Sequence, residues 1–129
     1  MGNSHSIQAY FKALQKGNYN TLIGLFDEGA IIVSPLYGEV KPPDFYRDLL
    51  KDTSSSTITP IRIFHATNRS VSAAHFIYEW TLANGTKTSF ECIDIFEFSK
   101  TGLIQKLTII YDTFKVRRSF KAQKYKTKK

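Results

Sequence analysis

Cysteine is nearly absent from this sequence of 129 residues, which contains Cys92 and no other. One thiol cannot form an internal disulfide, and it cannot by itself supply a metal cluster. The three histidines are scattered and no Glu-x-x-His or Cys-x-x-Cys spacing occurs, so the sequence predicts no metal site. A Gly-rich phosphate-binding loop is also missing, and we therefore expect no nucleotide and no other cofactor.

Long hydrophobic runs are missing as well. The longest, such as residues 31–33 and 107–111, fall far short of the roughly 18 residues that a membrane span needs. The first residues contain no basic region followed by an apolar stretch, which favours a cytoplasmic protein without a cleaved export signal. With 42% hydrophobic and 22% charged residues, the composition is that of an ordinary globular domain.

Positive charge is present, +7 in total, but it is unevenly distributed. Residues 115–129 contain eight Lys or Arg and no acid, so removing these eight charges leaves residues 1–114 at −1. We therefore predict a domain over residues 1–114 and a basic, mobile tail over residues 115–129. The alternative for the tail is a weak electrostatic contact with nucleic acid or with an anionic membrane.

The first half of the sequence predicts two to three helices and one strand. A first amphipathic helix is indicated by apolar residues that recur every three or four positions between Ser6, its N-cap, and Gly17, its end. Residues 22–26 predict a further helical turn or two, and residues 42–52, which open with two prolines, predict a third helix. The β-branched run over residues 30–35 predicts a strand.

After a predicted loop over residues 53–57, the pattern changes to strands joined by tight turns. Asn84-Gly85 is a strong hairpin signal between two of these strands. The four predicted strands are residues 59–67, 72–82, 87–98 and 103–114. Helices followed by an antiparallel meander predict an α+β fold, with the helices on one face of a curved sheet.

Two segments resemble the ketosteroid isomerase branch of the nuclear transport factor 2-like superfamily. Residues 7–38, IQAYFKALQKGNYNTLIGLFDEGAIIVSPLYG, are similar to its opening helix, acidic turn, first strand and Pro-x-x-Gly exit, and residues 93–98, IDIFEF, to a second segment. The resemblance extends to SnoaL-like polyketide cyclases and covers residues 6–114. It implies a cone-shaped, curved, mostly antiparallel (mixed) sheet wrapped around the N-terminal helix, with an apolar pocket at one end. It also implies a homodimer formed through the outer sheet face.

The resemblance places the isomerase's two hydrogen-bond donors on Tyr10 and Asp94. In that enzyme an aspartic acid kept neutral by an apolar site donates a hydrogen bond to the substrate oxygen, beside a tyrosine. The neighbours of Asp94 favour the same state, because an ionised carboxylate between Cys92 and Phe96 would lose its hydration. The alternative is that a bulge turns Asp94 towards solvent or a cross-strand lysine.

The isomerase's general base has no counterpart, because Ser34 replaces the aspartate before the Pro-x-x-Gly exit. A serine hydroxyl cannot shuttle protons near neutral pH without a base beside it. Glu79 is a candidate replacement, since the resemblance places the odd-numbered face of its strand in the pocket. Alternatively this face points outward, because the other face is aromatic. Asp112, near the catalytic acid of SnoaL-like cyclases, is a second candidate, although strand alternation points it away from the face of Tyr111.

These observations predict binding of a small, mostly apolar molecule whose oxygen accepts hydrogen bonds from Tyr10 and Asp94. One alternative is an isomerase-like or cyclase-like enzyme in which Glu79 or Asp112 moves the proton. Another is a dimeric protein-interaction module whose pocket is filled by its own side chains. The remaining pocket residues are expected to be Ser34, Tyr37, Phe45, Phe96, Ile109 and Tyr111.

Overall fold

Six strands form one curved, unclosed sheet in the computed structural model of this chain. It describes the backbone of residues 2–128 and the side chains of residues 3–114 and 116–123. The helices are α1 (Gly2–Lys16), α2 (Tyr19–Gly24), α3 (Pro42–Lys51) and α4 (Phe114–Lys128). The strands are β1 (Phe26–Ser34), β2 (Gly38–Val40), β3 (Thr53–His65), β4 (Val71–Leu82), β5 (Lys87–Phe98) and β6 (Ile104–Ile110).

The strand order is β2-β1-β6-β5-β4-β3. All neighbouring pairs are antiparallel except β1 and β6, which run parallel. The predicted α+β fold is confirmed, and the predicted meander corresponds to β3 to β6. The short strand β2 was not predicted, because three residues are too few to show alternation.

Glycines at two predicted stop signals adopt backbone conformations that other residues avoid. Gly17 has a φ angle of 68° directly after α1, and Gly85 has a φ angle of 89° in the turn between β4 and β5. Helix α1 begins at Gly2, so the predicted N-cap Ser6 lies inside the helix. Residues 53–57, predicted as a loop, open β3, since an edge strand with one face in solvent accommodates Ser and Thr.

Helix α1 packs against the inner face of the sheet. Its apolar side is buried, with Ile7, Tyr10 and Phe11 between 0% and 5% exposed. The ring of Phe11 lies 4.6 Å from that of Phe76 on β4, and the ring of Tyr10 lies 5.4 Å from that of Phe96 on β5. These aromatic contacts hold Tyr10 at a defined place relative to the central strands.

The C-terminal segment is a packed helix, whereas the sequence analysis predicts a mobile tail. Val116 and Gln123 of α4 are each 1% exposed. The side-chain oxygen of Gln123 accepts a hydrogen bond from the backbone N–H of Asn84 at 2.9 Å, and its amide nitrogen donates to the backbone oxygen of Asp52 at 3.3 Å. The prediction of mobility is therefore corrected for residues 116–123, which pack onto the rest of the fold.

Only some of the positively charged side chains of α4 are among the described residues. Arg118 and Lys121 are exposed on its surface, while the side chains of residues 115 and 124–129 lie outside the described residues. The electrostatic contact with nucleic acid or an anionic membrane thus remains a prediction. No helix in the described part of the chain is long and apolar enough to cross a membrane.

Candidate functional site

A cavity of about 50 Å³ lies between the inner face of the sheet, α1 and α3. Tyr10 reaches it from α1 and Asp94 from β5, so the structure brings the two predicted hydrogen-bond donors together in one lining. Most of the other lining side chains are aromatic or aliphatic. Five further residues that the sequence analysis placed in the pocket also line it: Ser34, Tyr37, Phe45, Ile109 and Tyr111.

Strand alternation turns Asp94 inward. Even-numbered residues of β5 are buried from Cys92 onwards, and Asp94 is 2% exposed. Its neighbours across the sheet are the small Ala74 on β4 and Ile109 on β6. The thiol of Cys92 donates to Oδ1 of Asp94 at 3.4 Å, and no lysine, arginine or histidine in the described part of the chain forms an ion pair with it.

Burial controls the protonation of Asp94. Loss of hydration raises the pKa of its carboxyl group to about 7, and the hydrogen bond from Cys92 opposes this only in part. Below neutral pH the carboxyl group therefore keeps its proton in the folded protein. A protonated carboxyl group can donate a hydrogen bond into the cavity.

Tyr10 is supported by a second tyrosine that the sequence analysis did not single out. The hydroxyl of Tyr46 on α3 donates to the hydroxyl of Tyr10 at 2.7 Å, and both residues are buried. Tyr10 therefore retains its own proton for an acceptor in the cavity. Burial, followed by the charges of Tyr46 and Asp94, raises the pKa of Tyr10 well above its ordinary value, so Tyr10 remains a donor.

Ser34 serves the turn that follows β1. Its Oγ accepts hydrogen bonds from the backbone N–H groups of Leu36 and Tyr37, both at 3.2 Å. The Tyr37 hydroxyl donates to Oδ2 of Asp52 at 2.6 Å, and Asp52 is 5% exposed. Burial and the hydrogen bond to Asp52 raise the pKa of Tyr37. Ser34 thus positions a tyrosine and does not act in place of the missing base.

Both predicted proton acceptors lie away from the cavity. Glu79 is exposed on the outer face of β4, because the aromatic residues of this strand occupy the inner face. Asp112 is also exposed, and its Oδ1 accepts a hydrogen bond from the backbone N–H of Phe114 at the start of α4. The structure therefore corrects the placement of both carboxylates opposite Tyr10 and Asp94.

Phe96 is a core residue and not a cavity wall. It is fully buried, and its ring packs against Tyr10 and Phe11 at 5.4 and 6.5 Å. The prediction that it lines the pocket is corrected, since α1 covers this part of β5. It shapes the site only through the position of Tyr10.

About half of the residues that line the cavity were not predicted from the sequence. These residues share inward-facing positions on α1, α3, β4 and β5 or on the turn after β1. They are Leu14, Leu36, Leu49, Phe76, Tyr78, Trp80, Phe90 and Cys92. The sequence pattern that could have identified those on β4 is the alternation of aromatic residues along this strand. Across residues 3–114 and 116–123, no group of three His, Cys, Asp or Glu side chains could hold a metal ion.

The chain is similar to a known family and to solved structures. A family profile described as the SnoaL-like domain matches residues 7–107. One similar structure is the epoxide hydrolase/cyclase-like enzyme SalBIII, which has a role in pyran ring formation in the polyether salinomycin. Its sequence is 18% identical to this chain, and the TM-score is 0.75. The match covers 85% of this chain and 90% of SalBIII. No curated protein matches the chain.

Two of the similar structures contain small molecules. TerC, co-crystallised with polyporic acid, is 13% identical with a TM-score of 0.78, and the match covers 92% of this chain and 97% of TerC. Rv0760c from Mycobacterium tuberculosis, in complex with estradiol-17beta-hemisuccinate, is 13% identical with a TM-score of 0.73. Here the match covers 86% of this chain and 94% of Rv0760c. At these identities the similarity shows a shared fold.

Proposed function

Since this chain belongs to the SnoaL-like domain family, within the nuclear transport factor 2-like superfamily, we propose that its cavity binds a small, mostly apolar molecule. The molecule carries an oxygen that accepts hydrogen bonds from Tyr10 and Asp94. The main support for this proposal is that Tyr10 and Asp94 line the same cavity, whose other lining side chains are mostly apolar. Ligand sites are commonly built this way, with few polar groups that fix orientation.

The small molecules in TerC and Rv0760c support the proposal, because both proteins share this fold. Binding is favoured over proton transfer. Asp94 is the one carboxyl group among the described residues that line the cavity, and the oxygen of Ser34 already accepts two backbone hydrogen bonds. An isomerase-type reaction needs a base within reach of the ligand, in addition to the donors. Neither Glu79 nor Asp112 supplies it from its exposed position.

A matched pair of ligands tests the role of the two donors. The ketone 2-acetylnaphthalene and the hydrocarbon 2-ethylnaphthalene have the same carbon skeleton, and only the ketone has an acceptor oxygen. We expect the ketone to bind about thirtyfold more tightly, since two hydrogen bonds contribute on the order of 1 kcal/mol each. Tyr10→Phe should remove much of this preference. The fluorescence of Trp80, the sole tryptophan and a cavity residue, reports binding.

The control for this measurement is Tyr19→Phe. Tyr19 is an exposed residue of α2 whose hydroxyl donates to the backbone oxygen of Pro43, outside the cavity. This variant should keep the full preference for the ketone. Equal affinities of the wild-type protein for both ligands, or equal behaviour of the two variants, would exclude the assigned role of Tyr10.

We also propose that the chain forms a homodimer through the outer face of the sheet. Phe64 on β3 and Ile110 on β6 are 52% and 48% exposed there, and Ile93 and Ile95 of β5 lie between these strands on the same face. Exposed apolar residues grouped on one face are typical of an interface. Light scattering should give the mass of a dimer for the wild-type chain.

Ile110→Glu should shift the dimer to a monomer, because each protomer would bury an unpaired carboxylate in the proposed interface. Tyr19→Glu, on α2 away from the sheet, provides the control and should leave the mass unchanged. A wild-type chain that is monomeric at the concentrations used for spectroscopy would overturn this proposal.

A further inference from the structure

Helix α4 lies over one wall of the cavity. The ring of Phe120 lies 5.3 Å from the ring of Tyr37 and 6.2 Å from that of Trp80, and both of these residues line the cavity. One turn earlier, Nη2 of Arg117 donates to the backbone oxygen of Pro35 at 2.8 Å. The helix therefore contacts the turn after β1 on one side and β4 on the other, and it covers the wall between them.

Asp52 connects this helix to the cavity wall. Its carboxyl group accepts the hydrogen bond from Tyr37 at 2.6 Å, and its backbone oxygen accepts one from the side chain of Gln123 at 3.3 Å. The ring of Tyr37 is held between Phe120 of α4 and Phe45 of α3, each at a ring distance of 5.3 to 5.4 Å. Displacement of α4 removes the contact between Phe120 and Tyr37, and the Tyr37 side chain can then rotate.

The size of the cavity requires a movement before a ligand can bind. Its volume of about 50 Å³ compares with roughly 300–1,000 Å³ for typical small-molecule sites. Of the helices α1, α3 and α4, which line or cover the cavity, α4 has the fewest buried side chains in its described part. It adds no strand to the sheet, and among its described side chains only Val116 and Gln123 are fully buried. Elements with few buried contacts open locally while the rest of the fold persists.

We propose that α4 is a lid on the ligand cavity, latched by Asp52 through Tyr37 and Gln123, and that its release admits the ligand. The inference rests on the proposed function of the cavity, and it assigns a positioning role to Asp52. Tyr37 is the side chain that swings as the lid opens. The basic helix therefore controls access to the site and is not a separate appendage.

Trp80 reports lid opening without any ligand. It is 2% exposed and lies beneath Phe120, so acrylamide should quench its fluorescence poorly in the wild-type protein. Phe120→Ala should raise the quenching constant about threefold or more, because local opening then occurs more often. Phe114→Ala is the matched control, since Phe114 belongs to the same helix but is 74% exposed. Circular dichroism establishes that both variants are folded.

A second variant tests the latch and keeps the aromatic ring of residue 37 in place. Tyr37→Phe keeps the aromatic contacts and removes the hydrogen bond to Asp52. A hydrogen bond to a carboxylate changes an equilibrium by about tenfold, so stopped-flow mixing with 2-acetylnaphthalene should show association about tenfold faster than in the wild-type protein. Tyr19→Phe should associate at the wild-type rate.

The outcomes separate the lid from the function of the cavity. Increased Trp80 quenching in Phe120→Ala, without binding of 2-acetylnaphthalene to any variant, supports the lid and contradicts the proposed ligand class. Unchanged quenching in Phe120→Ala overturns the lid, and so do equal association rates in the wild-type protein and Tyr37→Phe. In either of these cases the binding function of the cavity still stands if 2-acetylnaphthalene binds.

Discussion

Raising the pH from 4 to 7 is expected to lower the free energy of unfolding by about 3 kcal/mol through Asp94 alone. The pKa of this carboxyl group is about 7 in the folded chain, because burial removes its hydration, and it is about 3.9 in an unfolded chain. Between these two values the folded state binds a proton that the unfolded state has released. The contribution of Asp94 to stability is therefore fully present below pH 4, and it is lost as the pH rises through 7.

Asp94→Asn removes this dependence, because asparagine fits the same space and does not ionise. Urea unfolding at several pH values between 4 and 7 should show the variant gaining about 3 kcal/mol relative to the wild-type protein across this range. Glu79→Gln, which alters an exposed carboxylate on the outer face, should show no such relative gain. If the curves of the wild-type protein and Asp94→Asn run parallel, Asp94 does not hold its proton in the folded state.

Replacing Phe96 by alanine is expected to cost about 4 kcal/mol of stability, as is usual for deletion of a fully buried ring. Phe96 is 0% exposed and contacts both Tyr10 and Phe11, so the substitution leaves a cavity between β5 and α1. Urea unfolding at a single pH measures the loss. Tyr10 should also be held less firmly, which reduces the preference for 2-acetylnaphthalene over 2-ethylnaphthalene.

Phe114→Ala is the control for this substitution. Phe114 is 74% exposed at the start of α4, and its replacement should change stability by less than about 1 kcal/mol. A loss for Phe96→Ala as small as that for Phe114→Ala would mean that α1 does not pack on β5 as described. It would also return Phe96 to the cavity wall, where the sequence analysis placed it.

The resemblance to the isomerase predicted Tyr10 and Asp94 in one lining, and two local patterns agree with an inward position of each residue. The apolar side of α1 includes Tyr10, and alternation along β5 places Asp94 on the same side as Cys92 and Phe96. For β4, the sequence contained conflicting indications of which face points inward. Its aromatic residues were the correct signal for the core, whereas alignment with the isomerase pointed to the face that carries Glu79.

Helix α4 was missed although its pattern is present. Val116, Phe120 and Gln123 recur at spacings of four and three, but lysines and arginines between them obscure the stripe. The role of Asp52 could not be read from the sequence at all. It depends on contacts with Tyr37 and Gln123, which are 15 and 71 residues away along the chain. Such long-range partners are defined by the folded arrangement and leave no local periodicity.

Titration of the Asp94 side-chain carboxyl carbon by NMR measures the protonation on which the proposed ligand site depends. The spectrum of Asp94→Asn, which lacks the resonance, assigns the signal. We predict a midpoint near pH 7 in the folded wild-type protein, set by burial. A midpoint near pH 4, the value of a hydrated aspartate, would contradict a proton donor in the cavity.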